Sequence, residues 1–428
     1  MVKWTHFAIS KTCTQEAPTM THATTLSLIE SRKPRWAMPA AVYFDDQVYQ
    51  DDLTHIWYAS WIFAGHTFEL PKPGSYMTLE IGDYPIVIVR NKAGEIRAYH
   101  NACRHRGHRI CVEDSGKAAR LVCPYHQWTY DYDGNLIYAA NMGESFDPSQ
   151  FPLTPVHVGV AESYIFVCVA DEAPDFEAFA QTLAPFLAPH DPEKWKVAHM
   201  TTGVEHGNWK LVFENNRECF HCGSNHPELL RSYEENASVS GSAPEELPEL
   251  QAFLDACENA GFKSRFEIDA TGQYRMTRIP LNHGAQSFTM DGKPAVKKNL
   301  LETHNLDHLG SLLMFHYPNT WNHWLCDHAV SFRMLPLGKD KTQIVTRWLV
   351  PHDAVEGVDY DFDHLTHVWE MTNAQDTRLV EECARGLKSP RYEPGPYSEI
   401  EENGVCQFVD WYCEHMKRAL TRNIAVAS

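Results

Sequence analysis

The chain has 428 residues, 43 % of them apolar, with 37 basic against 56 acidic side chains and a formal net charge of −19. Such a surface repels nucleic acid and anionic membrane, so neither is an expected partner. Twelve cysteines are too sparse for a disulfide scaffold; no apolar run reaches the length of a bilayer span and no basic-then-apolar segment marks secretion, so a reducing, cytoplasmic setting with metal-bound thiolates is expected.

Residues 1–25 carry Thr, Ser and Pro without a clear period and read as a loose leader, with Met20 an alternative start to Met1. Residues 26–49 read as an N-terminal segment that packs on the C-terminal domain, residues 171–428, opening with a short amphipathic piece over Leu26–Trp36. The spacing of Tyr49, Leu53, Ile56 and Trp57 predicts a helix over Asp46–Trp61. After Pro71-Lys72-Pro73-Gly74 the apolar period becomes two, giving strands at Tyr76–Ile81, Pro85–Arg90 and Ile96–His100. A hairpin turns at Asp133-Gly134, and Val158–Val169 adds a strand pair. Residues 50–170 thus form an all-β unit.

From 171 to 428 the pattern mixes α and β. Helices are expected at Phe176–Leu187, from Asn208 through His221, and at Leu247–Ala260 within an acidic, Pro/Gly-punctuated segment 231–300, whose role as an ordered lid stays open. Strands are expected at Ser311–Tyr317, Ala329–Leu335 and Thr342–Val350, and a last long helix over Phe362–Leu387. Neither a repeat nor a low-complexity tract is present.

Two clusters carry chemistry. The stretch C-R-H-R-G-H-R-I-C followed by C-P-Y-H-Q-W-T-Y offers Cys103 with His105 and Cys123 with His126, one thiolate and one imidazole in each pincer. Structural zinc sites usually separate their thiolate and histidine pairs, whereas a [2Fe–2S] cluster with two unlike irons needs the types mixed. Structural zinc is the alternative. Further on, L-V-F-E-N-N-R-E-C-F-H-C-G-S-N-H-P contains His221 and His226, which no regular helix face can hold together. They converge if the helix ends just after His221 and the chain turns back through Gly223. Cys219 and Cys222 also spell C-x-x-C, a spacing that suits redox chemistry or zinc; both are read as packing residues. Asp376 falls within the apolar stripe Leu365, Val368, Trp369, Thr372, Leu379, Val380, Cys383, Leu387. A carboxylate there must be paired, hydrogen-bonded or metal-bound. Two histidines plus that aspartate would make the facial triad of non-haem iron(II) oxygenases.

The segments N-A-C-R-H-R-G-H-R, L-V-C-P-Y-H-Q-W-T-Y, N-W-K-L-V-F-E-N-N-R-E-C-F-H-C, D-A-V-E-G-V-D-Y-D and Y-E-P-G-P-Y-S resemble the oxygenase (alpha) components of Rieske non-haem iron oxygenases from about residue 40 to Tyr412. The last two segments narrow the likeness to enzymes that demethylate glycine betaine. The resemblance implies an α+β chain: an N-terminal all-β Rieske [2Fe–2S] domain, then a catalytic domain with a central antiparallel sheet carrying mononuclear iron. It implies Cys103, His105, Cys123 and His126 as cluster ligands and His221, His226 and Asp376 as iron ligands. It further implies a homotrimer in which Glu218 links His105 of one chain to His221 of its neighbour; a solvated helix-face residue is the alternative for Glu218. Electrons would come from NAD(P)H through a ferredoxin-type flavin reductase, because no nucleotide-binding glycine loop is present. The expected reaction uses dioxygen to convert glycine betaine to dimethylglycine and formaldehyde. Proline betaine, carnitine, choline and, further off, an aromatic ring are the rival substrates. A trimethylammonium group is recognised by aromatic faces, for which Phe220, Phe288, Trp321, Trp324 and Phe332 are candidates. His323 is the candidate partner for the substrate carboxylate.

Overall fold

A computed structural model describes residues 22–233, 248–282 and 284–427. The expected leader therefore lies mostly outside the described residues, but its last residues do not stay loose: helix α1 spans His22–Glu30. Two short helices follow, α2 (Ala41–Phe44) and α3 (Asp46–Asp52). Asp45 caps α3 by accepting from the backbone N–H groups of Gln47 and Val48, the usual way a carboxylate satisfies a helix's first donors. The helix expected to reach Trp61 instead widens into a π turn over Leu53–Trp57. Leu53, Ile56 and Trp57 are buried as their spacing requires, while Tyr49 is half-buried.

Ten strands then build the first domain: β1 (Ile62–His66), β2 (Ser75–Ile81), β3 (Tyr84–Arg90), β4 (Ile96–His100), β5 (Ser115–Lys117), β6 (Leu121–Val122), β7 (Thr129–Tyr130), β8 (Leu136–Tyr138), β9 (Pro155–Ala161) and β10 (Tyr164–Cys168). Seven form an antiparallel sheet in the order β1-β10-β9-β4-β3-β2-β5, and β6-β7-β8 form a small second sheet. Gly134, at φ +83°, sits in the expected turn between β7 and β8.

After α4 (Glu177–Leu187) the chain enters a second seven-stranded antiparallel sheet, in the order β11-β17-β16-β15-β14-β13-β12. Its members are β11 (Trp195–Glu205), β12 (Glu267–Ile268), β13 (Tyr274–Ile279), β14 (Ser311–His316), β15 (Thr320–Trp324), β16 (Ala329–Gly338) and β17 (Lys341–Pro351). Only three of these seven are apparent in the sequence. Of the four others, β15 is buried along its whole length, so polar–apolar alternation, the signal of a half-buried strand, is missing from it. The helices of this half are α5 (Trp209–Asn216), α6 (Cys222–Asn225), α7 (Pro248–Asn259), α8 (Leu300–His304), α9 (Phe362–Leu387) and α10 (Asn403–Ala427). The helix α10 was not expected; α9 is not the last.

The strand period of two separates the cores. Leu312, Met314 and Trp324 face α4 and the first domain, packing with Phe63, Phe166, Phe179 and Trp195. Leu313, Phe315, Trp321 and Phe332 face the other way, toward α5, α9 and α10. Buried polar contacts also cross this apolar junction between the domains. Asn319 accepts from the Phe63 amide and donates to its carbonyl, both at 2.9 Å. His66 lies 3.2 Å from Ser163 and 3.0 Å from Ser331 through its two ring nitrogens.

Candidate active site

The two pincers of the first domain fold alike. The Cys103 amide donates to His108 O, and the Gly107 amide donates back to Cys103 O. In the second loop the Cys123 amide donates to Trp128 O, and the Gln127 amide donates to Cys123 O. The fifth residue of each loop takes positive φ, Gly107 at 76° and Gln127 at 60°. Both cysteines are buried, whereas His105 is half-buried and His126 exposed. The rings of His105 and His126 lie 4.6 Å apart, and His105 stacks on Trp128 at 4.9 Å. His105 Nδ1 is buried without a hydrogen-bond partner. A buried imidazole nitrogen left bare is costly unless a ligand takes it. Two buried thiols and two imidazoles at the domain tip suit a [2Fe–2S] cluster whose histidine edge faces outward.

The second cluster forms where α5 ends. Asn208 caps α5 by accepting from the Lys210 amide and anchors it by donating to Tyr43 O and Lys339 O. The helix stops at Asn216, earlier than expected. His221 and His226 then bracket the single turn of α6, so a short second helix, and not a return through Gly223, brings them together. Their Nε2 atoms are 3.0 Å apart, and Asp376 Oδ1 lies 3.4 Å from His221 Nε2 and 3.0 Å from His226 Nε2. Asp376 comes from the middle of α9, one helical face from Trp369 and Thr372. Cys383 is exposed, and Ala384 takes the buried place expected for it.

The supports of this triad are explicit. Glu218 Oε1 sits 2.5 Å from His221 Nδ1. Gln375 Oε1 lies 2.8 Å from His226 Nδ1, and Gln375 donates in turn to Glu228. These partners fix each ring so that Nε2 points at the shared point. Burial lowers the His221 pKa, but hydrogen bonds to Asp376 and Glu218 outweigh it and raise it to about 9. His226 moves up for the same reason, against its own burial. Burial raises the Asp376 pKa, yet the two imidazoles hold it below the usual carboxylate range. Three groups so strained toward opposite charges in one spot fit a divalent cation with open positions. The sulfur of Cys222 also lies within 4.8 Å of the histidine ligand atoms. Both Cys219 and Cys222 are buried in the hydrophobic core, as their packing role requires, and are joined in a disulfide, so Cys222 offers no thiolate.

The pocket over the triad is walled by Tyr233, Arg217, Arg275, Phe315, His323 and Trp369, among others. His323 is therefore at the pocket, but burial pushes its pKa down to about 3, and Ser311 Oγ lies 3.1 Å from its Nδ1. A neutral ring makes a poor counterion for a carboxylate. Phe288 stands behind the wall, its ring 5.2 Å from His323 and 5.6 Å from Trp369. Trp321 and Phe332 stack on one another at 4.9 Å and line a separate cavity behind Asp376. Trp324 is on the opposite face of the sheet, donating to Tyr164 OH, which removes it from the pocket. Phe220 is 62 % exposed and also lies outside the wall. Sequence reasoning missed Tyr233, Trp369 as a wall residue, and both arginines. Of these only Trp369 carried a signal, three and seven residues from Thr372 and Asp376.

Residues 60–156 match the Rieske [2Fe–2S] domain, and residues 192–418 match the ring hydroxylating alpha subunit catalytic domain. The chain is 43 % identical to the glycine betaine monooxygenase oxygenase subunit of Pseudomonas aeruginosa (strain UCBPP-PA14), covering 92 % of each chain. It is 44 % identical to the subunit of that description from Chromohalobacter salexigens, covering 92 % of this chain and 88 % of that one. A solved quaternary ammonium Rieske monooxygenase, described for carnitine oxidation and inter-subunit electron transfer, shares the fold with a TM-score of 0.69 at 22 % identity, over 91 % of this chain and 98 % of that one. The fold and the matches agree: the chain belongs to the Rieske non-haem iron oxygenases, as an oxygenase alpha subunit with a [2Fe–2S] domain and a mononuclear-iron catalytic domain.

Proposed function

We propose that this chain is the terminal oxygenase that removes one N-methyl group from glycine betaine. The observation that carries this reading is the convergence of His221, His226 and Asp376 on one point at the wall of an aromatic-lined pocket. The glycine betaine relatives, alike over most of the chain, support the choice of substrate. The overall change is glycine betaine + O2 + 2 e⁻ + 2 H⁺ → dimethylglycine + formaldehyde + H2O: one N-methyl C–H becomes N–CH2OH, which collapses to formaldehyde and the amine.

Cys103, His105, Cys123 and His126 would hold the cluster, and His221, His226 and Asp376 the iron. When bound, these groups supply single-electron storage and activation of dioxygen. The chain's own residues do the rest. Trp369 and Tyr233, which line the pocket, would receive a methylated cation, each such contact worth ~0.5–2 kcal/mol. Glu218 holds His221 in orientation through Nδ1. We place its second role at a subunit seam, where it would link to His105 of a neighbouring chain in a homotrimer. The inter-subunit electron transfer described for the carnitine enzyme supports this arrangement. Electrons arrive from a separate ferredoxin-type flavin reductase that draws on NAD(P)H. Outside the Cys219–Cys222 pair the cysteines of the described residues are free thiols, which supports a cytoplasmic setting. Among the described residues, no helix is long and apolar enough to cross a membrane.

The test is formaldehyde release by the iron-loaded protein with a reductase present, across glycine betaine, proline betaine, carnitine, choline and an aromatic hydrocarbon. Glycine betaine is expected to give the highest kcat/KM. Ring hydroxylation without formaldehyde from any betaine overturns the reading.

A further inference from the structure

Two arginines stand in the pocket wall without a carboxylate partner among the described residues. Arg275 points from β13 to the same face as Thr277 and Ile279, all three lining the pocket with Leu313 and Phe315 of β14. Arg217 follows α5 and immediately precedes Glu218. Both are buried, Arg275 at 5 % exposure and Arg217 at 3 %. Both donate to the same neutral atom, Gln407 Oε1, Arg217 at 3.0 Å. Both also lie over the Phe315 ring, at 4.2 and 5.4 Å from its centre. Arg217 Nε donates to Tyr317 OH at 2.7 Å.

Buried cations are normally paired, because removing one from water is costly. Here two are held side by side on one amide oxygen, an aromatic face and a phenol. Burial and the adjacent Arg217 charge both pull the Arg275 pKa well below its ordinary range. Such a pair is stabilised by an anion that enters the pocket, and the planar guanidinium fork matches a carboxylate in two-pronged fashion. The same pocket holds the triad and the aromatic faces, so a zwitterion can put a methyl group toward the triad and its carboxylate toward the arginines.

We infer that Arg275, with Arg217 beside it, receives the substrate carboxylate and makes the site select carboxylate-bearing betaines over quaternary ammonium alcohols. This deepens the N-demethylation reading above and rests on it. Arg275 takes the role that His323, neutral in its buried position, cannot fill.

The experiment compares wild type with Arg275→Gln and Arg275→Lys as iron- and cluster-loaded proteins. Calorimetric Kd values for glycine betaine and choline are measured together with formaldehyde release from each; cluster absorbance and iron content report folding. Wild type is expected to prefer glycine betaine. Arg275→Gln is expected to weaken glycine betaine by on the order of 100-fold, the loss typical of unpairing a buried charge, and to leave choline within a few-fold. Arg275→Lys, which keeps the charge but loses the fork, is expected to fall between them. If Arg275→Gln does not retain its cluster, the Lys variant decides: an unchanged ratio of the two Kd values overturns the inference. So does a Gln variant that binds glycine betaine as wild type does, or that loses choline equally. Wild-type turnover is read separately. A wild type that binds glycine betaine but releases no formaldehyde overturns the demethylation reading, whatever the variants do to the Kd ratio.

Discussion

Asp376 is the residue on which the proposed iron site turns, since among the described residues it brings the negative charge to the point where two imidazole nitrogens meet. Asp376→Ala is expected to empty the mononuclear site and lower formaldehyde release at least ~100-fold, well beyond what loss of a supporting residue does. The [2Fe–2S] absorbance should persist; metal analysis and the visible spectrum of one preparation check both halves. Iron affinity should also depend on pH in a definite direction. The His221 pKa stands at about 9, above its ordinary 6.5, so in the metal-free protein its charge stabilises the fold at pH below that ordinary value. That contribution is lost as pH climbs through about 9. Metal must displace the same proton. Apparent iron(II) affinity should therefore rise from about pH 6 to about pH 9, by up to ~10-fold per pH unit for each proton released. Anaerobic titration of the chelator-treated protein measures this, and a flat profile would contradict the proposed proton competition. Six of the seven candidate ligands could be singled out in the sequence because metal chemistry restricts residue type and local spacing, and Asp376 because a carboxylate interrupts an apolar helical stripe. Arg217 and Arg275 could not, because their meeting depends on β13 lying beside β14 and on α10 supplying Gln407.

At the scale of elements, α3, α5 and α10 are bound through one buried carboxylate. Asp52 forms an ion pair with Lys210, both fully buried, and accepts from Trp209 Nε1 at 3.0 Å and Tyr412 OH at 2.8 Å. The network ties the N-terminal segment to the helix that leads into His221. Asp52→Ala leaves a buried ammonium unpaired and should destabilise the catalytic domain by ~3–5 kcal/mol. Lys210→Met together with Asp52→Leu removes both charges and should recover much of that loss. Denaturant unfolding followed by tryptophan fluorescence separates the two outcomes; equal losses in both would show that packing, and not charge, governs the joint. These three elements also mark the limits of sequence reading. The apolar spacing of Leu53, Ile56 and Trp57 was sufficient to predict burial, but it cannot tell an α turn from the π turn that follows Asp52. The strand β15 escaped notice because it is buried along its whole length, so no polar–apolar alternation marks it, while β11 is an edge strand left largely half-buried or exposed, with no buried face to pattern it. The alternating strands of the first domain, half-covered, were plain.

For the whole molecule, the proposed route of the electron makes a prediction that a single chain cannot satisfy. If the cluster of one chain serves the iron of its neighbour through Glu218, two inactive chains can repair one another. Cys103→Ser removes a cluster ligand and leaves the triad; Asp376→Ala does the reverse. Each variant alone should be inactive, because every working seam then lacks one of its two centres. Co-expressed in equal amounts and assembled at random into a ring of three, a seam is productive when an intact cluster faces an intact triad, which happens for about one seam in four. Formaldehyde release should then return to about a quarter of the wild-type rate per chain. A third variant separates the bridge from the assembly: Glu218→Gln keeps a hydrogen-bonding group of the same size beside His221 but removes the charge that both imidazoles favour. It should still sediment as a trimer and bind iron, and reduced cluster should pass its electron on more slowly in single turnover. Activity confined to one chain would leave the mixture as silent as its parts, and that silence, in a trimer shown by sedimentation to contain both variants, would place cluster and iron partners within the same chain.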